Sequence, residues 1–335
     1  MALDVYALGN ALVDIRVQVE DSLLAELGLE KGNRYLTERV RQEEILQKLL
    51  GCDSLDSVRK TGKLQTAAAG SAANTMNGIS QLGGQAGFCG KIANDEFGTL
   101  YTAHMRQSGI VFKESTGQGM TGTCVVLISN DAQRTMLTYL GISGRIDYED
   151  IDEELLRQSR YIYLEGYLFE SECAAQTMLR TVTLARKNDV KIALTASDPG
   201  CVERHRDLLV RLIRNDVDLL FANALEAQAL SGTDDIEAAL RTLSDWCEIV
   251  AVTDGEHGSF VSFKDEMTNI PPHKVSAIDT TGAGDAYAAG LLYGITHGRT
   301  TEESGTIASI FSAEVVTHIG PHHSGDIQPE LKNLL

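Results

Sequence analysis

One short stretch, residues 277–290, passes through Gly282 and Gly284, reaches an acid at Asp285 and continues into a helical pattern. Glycines before a helix let the backbone approach a ligand closely, and the free N–H groups at a helix N-terminus attract anions. The amides of Gly282, Ala283 and Gly284 are placed to hold the charge on a transferred phosphoryl group. Asp285 is placed to accept the proton of an attacking hydroxyl. An ordinary acid-capped helix after a glycine-rich turn fits the same pattern.

Two better-known glycine motifs do not fit the sequence. A dinucleotide-binding loop would need a third glycine at position 287, where the chain has Tyr287. A Walker loop needs Ser or Thr after its Gly-Lys pair, and neither Gly62-Lys63 nor Gly90-Lys91 is followed by one. The stretch therefore indicates neither a dinucleotide-binding protein nor a P-loop enzyme.

Two segments about 210 residues apart resemble the ribokinase-like (PfkB) carbohydrate and nucleoside kinase family. The segment Asp279–Asp285 matches the family's D-T-x-G-A-G-D signature at every position. The segment Ala69–Asn74 matches the upstream G-G-x-x-x-N signature, except that Ala69 replaces the first glycine. The resemblance covers nearly the full chain and implies one kinase unit over residues 1–335. It also implies ATP and Mg²⁺ as cofactors, with K⁺ as a further ion in many members.

The composition is that of a globular protein with one large domain or two smaller ones. Its 335 residues carry a net charge of -18, which argues against nucleic acid and anionic membranes as partners. The six cysteines are scattered without a CxxC pair, as in reduced cytosolic proteins. Residues 1–5 do not resemble a signal peptide. We therefore expect a cytoplasmic monomer or homodimer that binds small molecules.

From residue 147 onward the sequence alternates between apolar strands and amphipathic helices. This rhythm predicts a parallel, doubly wound sheet, with ligands bound at the carboxyl ends of its strands. Together with the resemblance, it predicts a three-layer α/β fold with a mostly parallel sheet. The predicted strands in this half are Tyr161–Leu164, Lys191–Thr195, Val217–Phe221 and Ile249–Thr253.

An antiparallel β pattern without helices precedes this half and predicts a small second sheet, which forms a lid. Its runs are Ile110–Lys113, Thr123–Ser129 and Thr135–Leu140. We expect the strand Leu12–Val19, whose alternation indicates half exposure, to join them. Residues 20–50 are interpreted as two charged amphipathic helices. The predicted lid comprises residues 11–19, 61–68 and 110–140, and the large α/β domain comprises residues 1–10, 69–109 and 141–335.

Residues from three regions of the chain are predicted to bind the phosphoryl acceptor. A carboxylate at Asp14 has two oxygens that can hold a vicinal diol, although a solvated strand residue fits that position as well. The resemblance implies a sugar-binding acid here. The segment Gly9–Asp14 is similar to the GNxxxD start of adenosine kinases, in which the Asn also contacts the nucleoside. The predicted acceptor residues are Asn10, Asp14, Gly70, Ser71, Asn74 and Tyr167, the last as an aromatic ring for a base.

The other half of the predicted site binds ATP and its metal ion. The segment Asn223–Glu226 matches the family's N-x-x-E element, in which Glu226 is linked to magnesium through water, although Asn223 fits equally as a helix N-cap. The resemblance also implies potassium at Asp279 and Thr281. Arg134 is predicted to move over the transferred phosphoryl group, with a solvated hairpin charge as the alternative. The predicted ATP residues are Asn223, Glu226, Thr253, Asp254, Gly255, Gly258, Gly282 and Gly284.

These patterns lead to one predicted activity and two alternatives. The prediction is ATP-dependent phosphorylation of a primary hydroxyl on a ribose-like substrate. Adenosine is favoured by Asn10 together with Asp14, by the long segment 20–60 and by Tyr167. A ribokinase- or fructokinase-like sugar kinase is the alternative within the class. A non-catalytic nucleotide- or sugar-binding protein is the alternative outside it, and an intact Asp285 argues against it because a sensor needs no base. Three clustered histidines are interpreted as surface residues: His318, His322 and His323.

Overall fold

The computed structural model describes residues 2–51, 65–131, 133–264, 266–323 and 329–334. Strands are numbered in chain order through these ranges. The strands are β1 (Leu3–Leu8), β2 (Leu12–Gln18), β3 (Arg34–Leu36), β4 (Gln65–Ala69), β5 (Ala86–Cys89), β6 (Lys91–Ala93), β7 (Val111–Phe112), β8 (Ser115–Gly117), β9 (Gly122–Ile128), β10 (Arg134–Tyr139), β11 (Ser159–Glu165), β12 (Lys191–Thr195), β13 (Leu219–Asn223), β14 (Ile249–Thr253), β15 (Ser259–Phe263) and β16 (Glu266–Ile270).

Several α-helices begin at polar side chains that satisfy their free N–H groups. The Asp95 carboxylate accepts a hydrogen bond from the N–H of Gly98, and Asp152, Asp198, Asp235 and Thr300 cap other helices in the same way. In the described ranges, no helix is long and apolar enough to cross a bilayer. The helices are α1 (Asp21–Glu26), α2 (Arg39–Leu50), α3 (Ser71–Gln81), α4 (Glu96–Gln107), α5 (Glu153–Arg157), α6 (Glu172–Lys187), α7 (Pro199–Asp216), α8 (Ala224–Ser231), α9 (Ile236–Ser244), α10 (Ala283–Thr296), α11 (Thr301–Val316) and α12 (Pro329–Lys332).

A nine-stranded sheet with the order β16-β15-β14-β13-β12-β11-β1-β5-β7 forms the centre of the fold. In this spatial order, neighbouring strands from β14 through β11 and β1 to β7 pair in parallel, and β15 and β16 add an antiparallel hairpin at one edge. Parallel strands need crossover connections, and helices α6 to α9 supply them between β11 and β14. The predicted α/β fold with a mostly parallel sheet is confirmed.

Strand β1 shows why the fold has three layers. All six of its residues are buried. Tyr6 and Leu8 belong to the core that includes residues of α6 to α9, whereas Val5 and Ala7 belong to the core that includes residues of α3, α4, α10 and α11. Alternate residues of a strand point to opposite faces, so both faces of the sheet are covered by helices. This is the reason for the apolar run at residues 5–8 of the strand.

A second sheet has the order β3-β10-β9-β2-β4 and forms the lid. Strands β9 and β10 make the expected antiparallel hairpin, and β2 pairs in parallel with β9 and antiparallel with β4. Helix α2 lies against this sheet. The side chain of Gln42, a residue of α2, donates hydrogen bonds to the carbonyls of Thr123 and Leu137 at 3.0 and 2.7 Å. Residues 61–64, which we also predicted in the lid, lie outside the described residues.

Three details differ from the sequence-based predictions. Strand β2 is buried from Val13 to Val17 rather than half exposed. One face of the strand packs in a common core with apolar residues of α1 and α2, and the other face lines a cavity. Residues 34–36 form strand β3 within the segment predicted as helical. Strand β7 pairs with β5 at the edge of the large sheet, so Ile110–Lys113 does not supply a strand of the lid sheet.

Candidate active site

The carboxyl ends of the parallel strands and the inner face of the lid enclose a cavity of about 450 Å³, called here the acceptor cavity. Asn10 and Glu165 line it from the large sheet, and Asp14 and Arg134 line it from the lid. A second cavity, of about 680 Å³, lies beside it and is called here the nucleotide cavity. Both cavities share one wall, formed by Thr253, Thr280, Ala283, Gly284 and Tyr287.

The glycine-rich turn at the shared wall, residues 280–284, has the geometry expected of an anion-binding site and is called here the anion-binding turn. Gly282 has φ +76°, and a Cβ there would lie 2.7 Å from Pro321, so only glycine fits without displacement. Helix α10 begins at Ala283, and its first N–H groups lack partners within the helix. The N–H of Ala283 is directed at the carbonyl of Thr280 at 3.3 Å. Gly284 has open space around its α-carbon and is the most accessible of the three predicted residues.

Asp285 lies in the first turn of α10 and lines the acceptor cavity. One carboxylate oxygen accepts a hydrogen bond from Ser71 Oγ at 2.7 Å, and the other accepts one from Asn74 Nδ2 at 2.8 Å. The two signature segments therefore meet at this carboxylate. Ser71 and Asn74, predicted to contact the acceptor, direct these donors at Asp285. Burial raises the pKa of Asp285 to about 6, and the two hydrogen bonds act in the opposite direction.

Asp279 is buried beneath the same turn and surrounded by donors. Its Oδ1 accepts from the N–H of Thr281 at 2.8 Å and from the Thr281 hydroxyl, and its Oδ2 accepts from the N–H of Gly320 at 2.8 Å. Arg134 reaches down from β10, with its Nε 3.7 Å from Asp279 Oδ1 and its guanidinium donating to Thr280 Oγ1 at 3.3 Å. Arg134 thus connects the lid with the anion-binding turn. A potassium ion at Asp279 and Thr281 would share the carboxylate with this guanidinium.

Glu165 organises the acceptor side of the cavity, although the sequence did not single it out as a site residue. Its buried carboxylate accepts from the N–H and the side-chain amide of Asn10 at 2.8 Å each, and from the N–H of Ala72 at 2.9 Å. Burial raises the pKa of Glu165, and these bonds lower it. Gly70, with φ +111°, packs so closely that a Cβ would overlap the carbonyl oxygen of Asn10. The sequence feature that could have identified Glu165 is an acid at the carboxyl end of a central strand, where ligands bind in such sheets.

Asp14 lines the acceptor cavity from β2 and is 7% exposed, so it is not a solvated strand residue. Its Oδ2 lies 3.4 Å from a guanidinium nitrogen of Arg16. Burial raises the pKa of Asp14, whereas the positive charges of Arg16 and Arg134 lower it. A buried carboxylate with one long ion pair still has lone pairs for the hydroxyl donors of a ligand.

Tyr167 lines the acceptor cavity, but Arg34 of β3 covers one face of its ring. The guanidinium carbon lies 3.9 Å from the ring centroid, and the Tyr167 hydroxyl donates to the carbonyl of Ser197 at 3.2 Å. Arg34 also faces two carboxylates, Asp198 at 3.5 Å and Glu170 at 3.8 Å. A base could therefore stack only on the other face of Tyr167. The sequence did not reveal Arg34 because its strand lies within a segment whose charge pattern indicated helices.

The predicted ATP residues are divided between the two cavities. Asp254 lines neither cavity in the ranges described, and its N–H donates to the carbonyl of Gly258 at 2.8 Å, which shapes the loop after β14. Lys274, which the sequence analysis missed, lines the nucleotide cavity and brings positive charge to it. The others are Thr253 and Gly284 in both cavities, Gly255 and Gly258 in the nucleotide cavity, and Asn223, Glu226 and Gly282 in the acceptor cavity.

Glu226 and Asn223 form a reciprocal capping box at the start of α8. Glu226 accepts from the N–H and the side-chain amide of Asn223 at 3.0 and 2.6 Å, and Asn223 Oδ1 accepts from the N–H of Glu226 at 2.9 Å. Burial raises the pKa of Glu226 to about 7. A nearby cation would favour its charged form, so the residue fits a water-mediated contact with Mg²⁺. No cluster of three or more His, Cys, Asp or Glu side chains suited to a metal occurs among the described residues.

None of the three clustered histidines is a fully exposed surface residue, because His318 and His322 are half-buried and His323 is buried. His323 is buried, and the half-buried His322 has its Nε2 3.1 Å from Asn74 Oδ1. The His322 ring also stacks on His104, with a centroid separation of 4.8 Å and an angle of 21° between the rings. His318, in the loop just after α11, contacts the carbonyl of Glu314 near the end of that helix. The spacing of the histidines could not show that the loop after α11 turns back beneath α10.

Comparison with known proteins identifies the family. The pfkB family of carbohydrate kinases matches residues 44–327 of the chain. A 5-dehydro-2-deoxygluconokinase from Clostridium perfringens is 26% identical over 243 residues, which cover 68% of this chain and 72% of that protein.

Two solved structures have the same fold over nearly the whole chain. A probable sugar kinase from Rhizobium etli CFN 42 is 32% identical with a TM-score of 0.93, and the match covers 100% of both chains. The adenosine kinase from Sinorhizobium meliloti is 35% identical with a TM-score of 0.89, and the match covers 99% of this chain and 98% of that one. The chain therefore belongs to the PfkB family of carbohydrate kinases.

Proposed function

We propose that this protein transfers the terminal phosphoryl group of ATP to the primary hydroxyl of adenosine and produces AMP. As a PfkB kinase it is a phosphotransferase that acts on an alcohol group, which removes the non-catalytic alternative. The position of Asp285 carries the proposal for the reaction. This carboxylate lines the acceptor cavity and adjoins the anion-binding turn that the acceptor cavity shares with the nucleotide cavity.

In the proposed reaction Asp285 is the general base. A bond forms between the acceptor oxygen and the terminal phosphorus of ATP, while the bond from that phosphorus to the ADP oxygen breaks. The proton of the hydroxyl passes to Asp285, whose pKa of about 6 keeps it mostly charged at neutral pH and still able to bind a proton. The N–H groups at the start of α10 stabilise charge on the transferred group. After ADP leaves, the proton passes to solvent.

Arg134 is the lid residue best placed to assist this step. The protein has a net charge of -18, so a phosphoryl group needs positive charge close to it. The guanidinium already contacts Thr280 of the anion-binding turn and lies 3.7 Å from Asp279. Because the pair with Asp279 is long, Arg134 can turn toward a phosphoryl group over the turn. The proposed reaction uses no step that depends on potassium.

ATP is proposed to occupy the nucleotide cavity, with its terminal phosphate at the shared wall. Lys274, Gly255 and Gly258 line that cavity, and its volume of about 680 Å³ is in the usual range for small-molecule sites. Mg²⁺, when bound, neutralises phosphate charge and orients the phosphates for in-line attack. Glu226 is the residue proposed to hold it, through water.

Three observations support adenosine as the acceptor. The Sinorhizobium meliloti structure, similar over nearly the whole chain, is that of an adenosine kinase. Asp14 places a buried carboxylate in the acceptor cavity, where its two oxygens suit the vicinal hydroxyls of a ribose. Tyr167 leaves one ring face for a base, because Arg34 covers the other.

A sugar kinase is the second candidate, and the names of relatives favour it. The Clostridium perfringens relative is named a 5-dehydro-2-deoxygluconokinase, and a gluconate-type acceptor carries a carboxylate. That carboxylate would need a cation with free charge. Arg34 faces Asp198 and Glu170, so its charge is compensated within the protein. Arg134 also lines the acceptor cavity but is assigned to the phosphoryl group, so the pairing of Arg34 favours a neutral acceptor such as a nucleoside or a neutral sugar over a sugar acid.

A coupled ADP-release assay over a panel of acceptors tests the proposal. The panel contains adenosine, inosine, cytidine, ribose, fructose and 5-dehydro-2-deoxygluconate, each with ATP and Mg²⁺. We expect adenosine to give the highest kcat/KM. A higher value for ribose or fructose would reject the nucleoside while keeping the kinase, and a higher value for the gluconate derivative would also reject the argument from Arg34.

A further inference from the structure

The loop after α11 contacts three separate parts of the proposed catalytic apparatus. The N–H of Gly320 donates to Asp279 Oδ2 at 2.8 Å. Pro321 packs against Gly282 so closely that glycine is required there. The Nε2 of His322 lies 3.1 Å from Asn74 Oδ1. A loop outside both signature segments therefore joins them from below.

We propose that His322 is a positioning residue for Asp285, acting through Asn74. The inference rests on the proposed function, because it takes Asp285 as the general base. The chain of contacts runs from His322 Nε2 to Asn74 Oδ1, and from Asn74 Nδ2 to Asp285 Oδ2 over 2.8 Å. His322 itself does not line the acceptor cavity, so it acts on the base and not on the acceptor.

The chemistry of an amide fixes the direction of this chain. Asn74 has one acceptor oxygen and one donor nitrogen, and a carboxylate can only accept. Asn74 must therefore turn its nitrogen to Asp285 and its oxygen to His322. The contact with His322 is a hydrogen bond only when Nε2 carries a hydrogen. His322 in the Nε2–H form is the partner that holds both ends of the amide.

The surroundings of His322 keep its ring neutral and in place. Burial lowers the pKa of His322 to about 3, and the neighbouring charges of His104 and Arg16 lower it further. The ring stacks on His104, whose Nε2 lies 3.2 Å from Asn77 Nδ2. His322 is therefore uncharged at the pH values of catalysis, and its role is to donate one hydrogen bond in a fixed direction.

Loss of that donor should change the acidity of Asp285. Without His322 the Asn74 amide is held at one end only, and its hydrogen bond to Asp285 weakens. That bond lowers the pKa of Asp285, so its weakening raises the pKa. The other groups that influence Asp285 are Ser71, Arg134 and Glu165, and they are unchanged in such a variant.

Two variants of similar length separate a positioning role from a packing role. His322→Gln keeps an N–H donor, whereas His322→Met fills the same space without one. At low pH, kcat/KM for the acceptor should fall as Asp285 becomes protonated, and this fall is called here the acid limb. For His322→Met we expect the acid limb to move up by about one pH unit, so that kcat/KM is lower than that of the wild type by about 10-fold at pH 5 and is little changed at pH 9. His322→Gln should keep the limb within a few tenths of a unit. His318→Met, in the same loop but outside the chain of contacts, is the control.

The pattern across pH decides the outcome. An equal loss at every pH, or an unmoved limb in His322→Met, would overturn the inference and assign His322 to packing. If Asp285→Asn retains turnover, the proposal that Asp285 is the base is rejected, and the role of His322 with it. If Asp285→Asn is inactive but the acid limb of His322→Met stays at the wild-type pH, only the role of His322 is rejected.

A measurement on the unmodified protein is independent of whether the variants fold. Nitrogen-15 chemical shifts of the histidine rings report which nitrogen carries hydrogen. We expect the His322 ring to be neutral, with hydrogen on Nε2, throughout pH 5–8. A ring with hydrogen on Nδ1 alone, or one that gains a proton above pH 5, would overturn the inference.

Discussion

Asp285→Asn should separate activity from stability, because the partly buried charge that serves the reaction destabilises the fold. The pKa of Asp285 is raised from 3.8 to about 6. That difference of about two pH units corresponds to about 3 kcal/mol at 1.36 kcal/mol per unit. The sign follows from linkage: the unfolded chain loses this proton near pH 4 and the folded chain near pH 6, so stability falls as pH rises between these values.

The expected gain from the substitution is smaller than this figure. The introduced asparagine would avoid the buried charge, but its amide nitrogen cannot accept from Asn74, and one hydrogen bond of about 1–1.5 kcal/mol is lost. At pH 7.5 we therefore expect the free energy of unfolding to rise by on the order of 1–2 kcal/mol, while kcat falls by about 10²–10⁴-fold. The KM for ATP should change little, because Asp285 lines only the acceptor cavity.

Urea unfolding and steady-state turnover test both parts. Trp246, the single tryptophan, provides a fluorescence signal for unfolding. Repeating the unfolding at pH 4.5 is the control, because the stability difference between the two proteins should shrink there. Turnover near that of the wild type would remove Asp285 from the mechanism. A variant that is less stable at pH 7.5, with no dependence on pH, would refute the argument from its raised pKa.

Two further substitutions test the acceptor cavity and the lid. Removal of one charged hydrogen bond of about 1.5–3 kcal/mol should lower kcat/KM by about 10- to 100-fold for 2′-deoxyadenosine, and Asp14→Ala, which removes the partner of both hydroxyls, should lose more on adenosine and distinguish poorly between the two substrates. An unchanged ratio between the two substrates would show that Asp14 does not hold the diol. Arg134→Ala should lower kcat more than it raises KM for the acceptor, because the guanidinium contacts the anion-binding turn. A rise in KM alone would make Arg134 an acceptor-binding residue.

The sequence predicted the parts of the site that are continuous in the chain. The turn at Gly282 and the acid at Asp285 are local features. A glycine before a helix allows the same close approach of a ligand wherever it occurs, whatever distant residues surround it. The parallel sheet was predictable for a similar reason, since strands buried on both faces give apolar runs, as at residues 5–8 of β1. These predictions depend on spacing over a few residues.

The parts that the sequence did not predict depend on contacts between distant residues. Glu165 holds Asn10 and Ala72 across 155 and 93 positions, and its place at the end of a strand does not show which residues it binds. Arg34 lies on a three-residue strand that is too short to show alternation. His322 reaches Asn74 across 248 positions. In each case the chain alone shows an ordinary polar residue, and the function of that residue depends on what the fold places beside it.

The pH dependence of kcat/KM for adenosine tests the central claim, that Asp285 is the base, most directly. Asp285 with a pKa of about 6 must be charged to accept the hydroxyl proton, so activity should be retained above pH 6 and fall about tenfold per unit below it. The residual activity of Asp285→Asn is the control for the ionisation of ATP itself, and it should lack this limb. A wild-type profile that stays flat from pH 5 to pH 8, or an equal limb in Asp285→Asn, would contradict the assignment of Asp285 as the base.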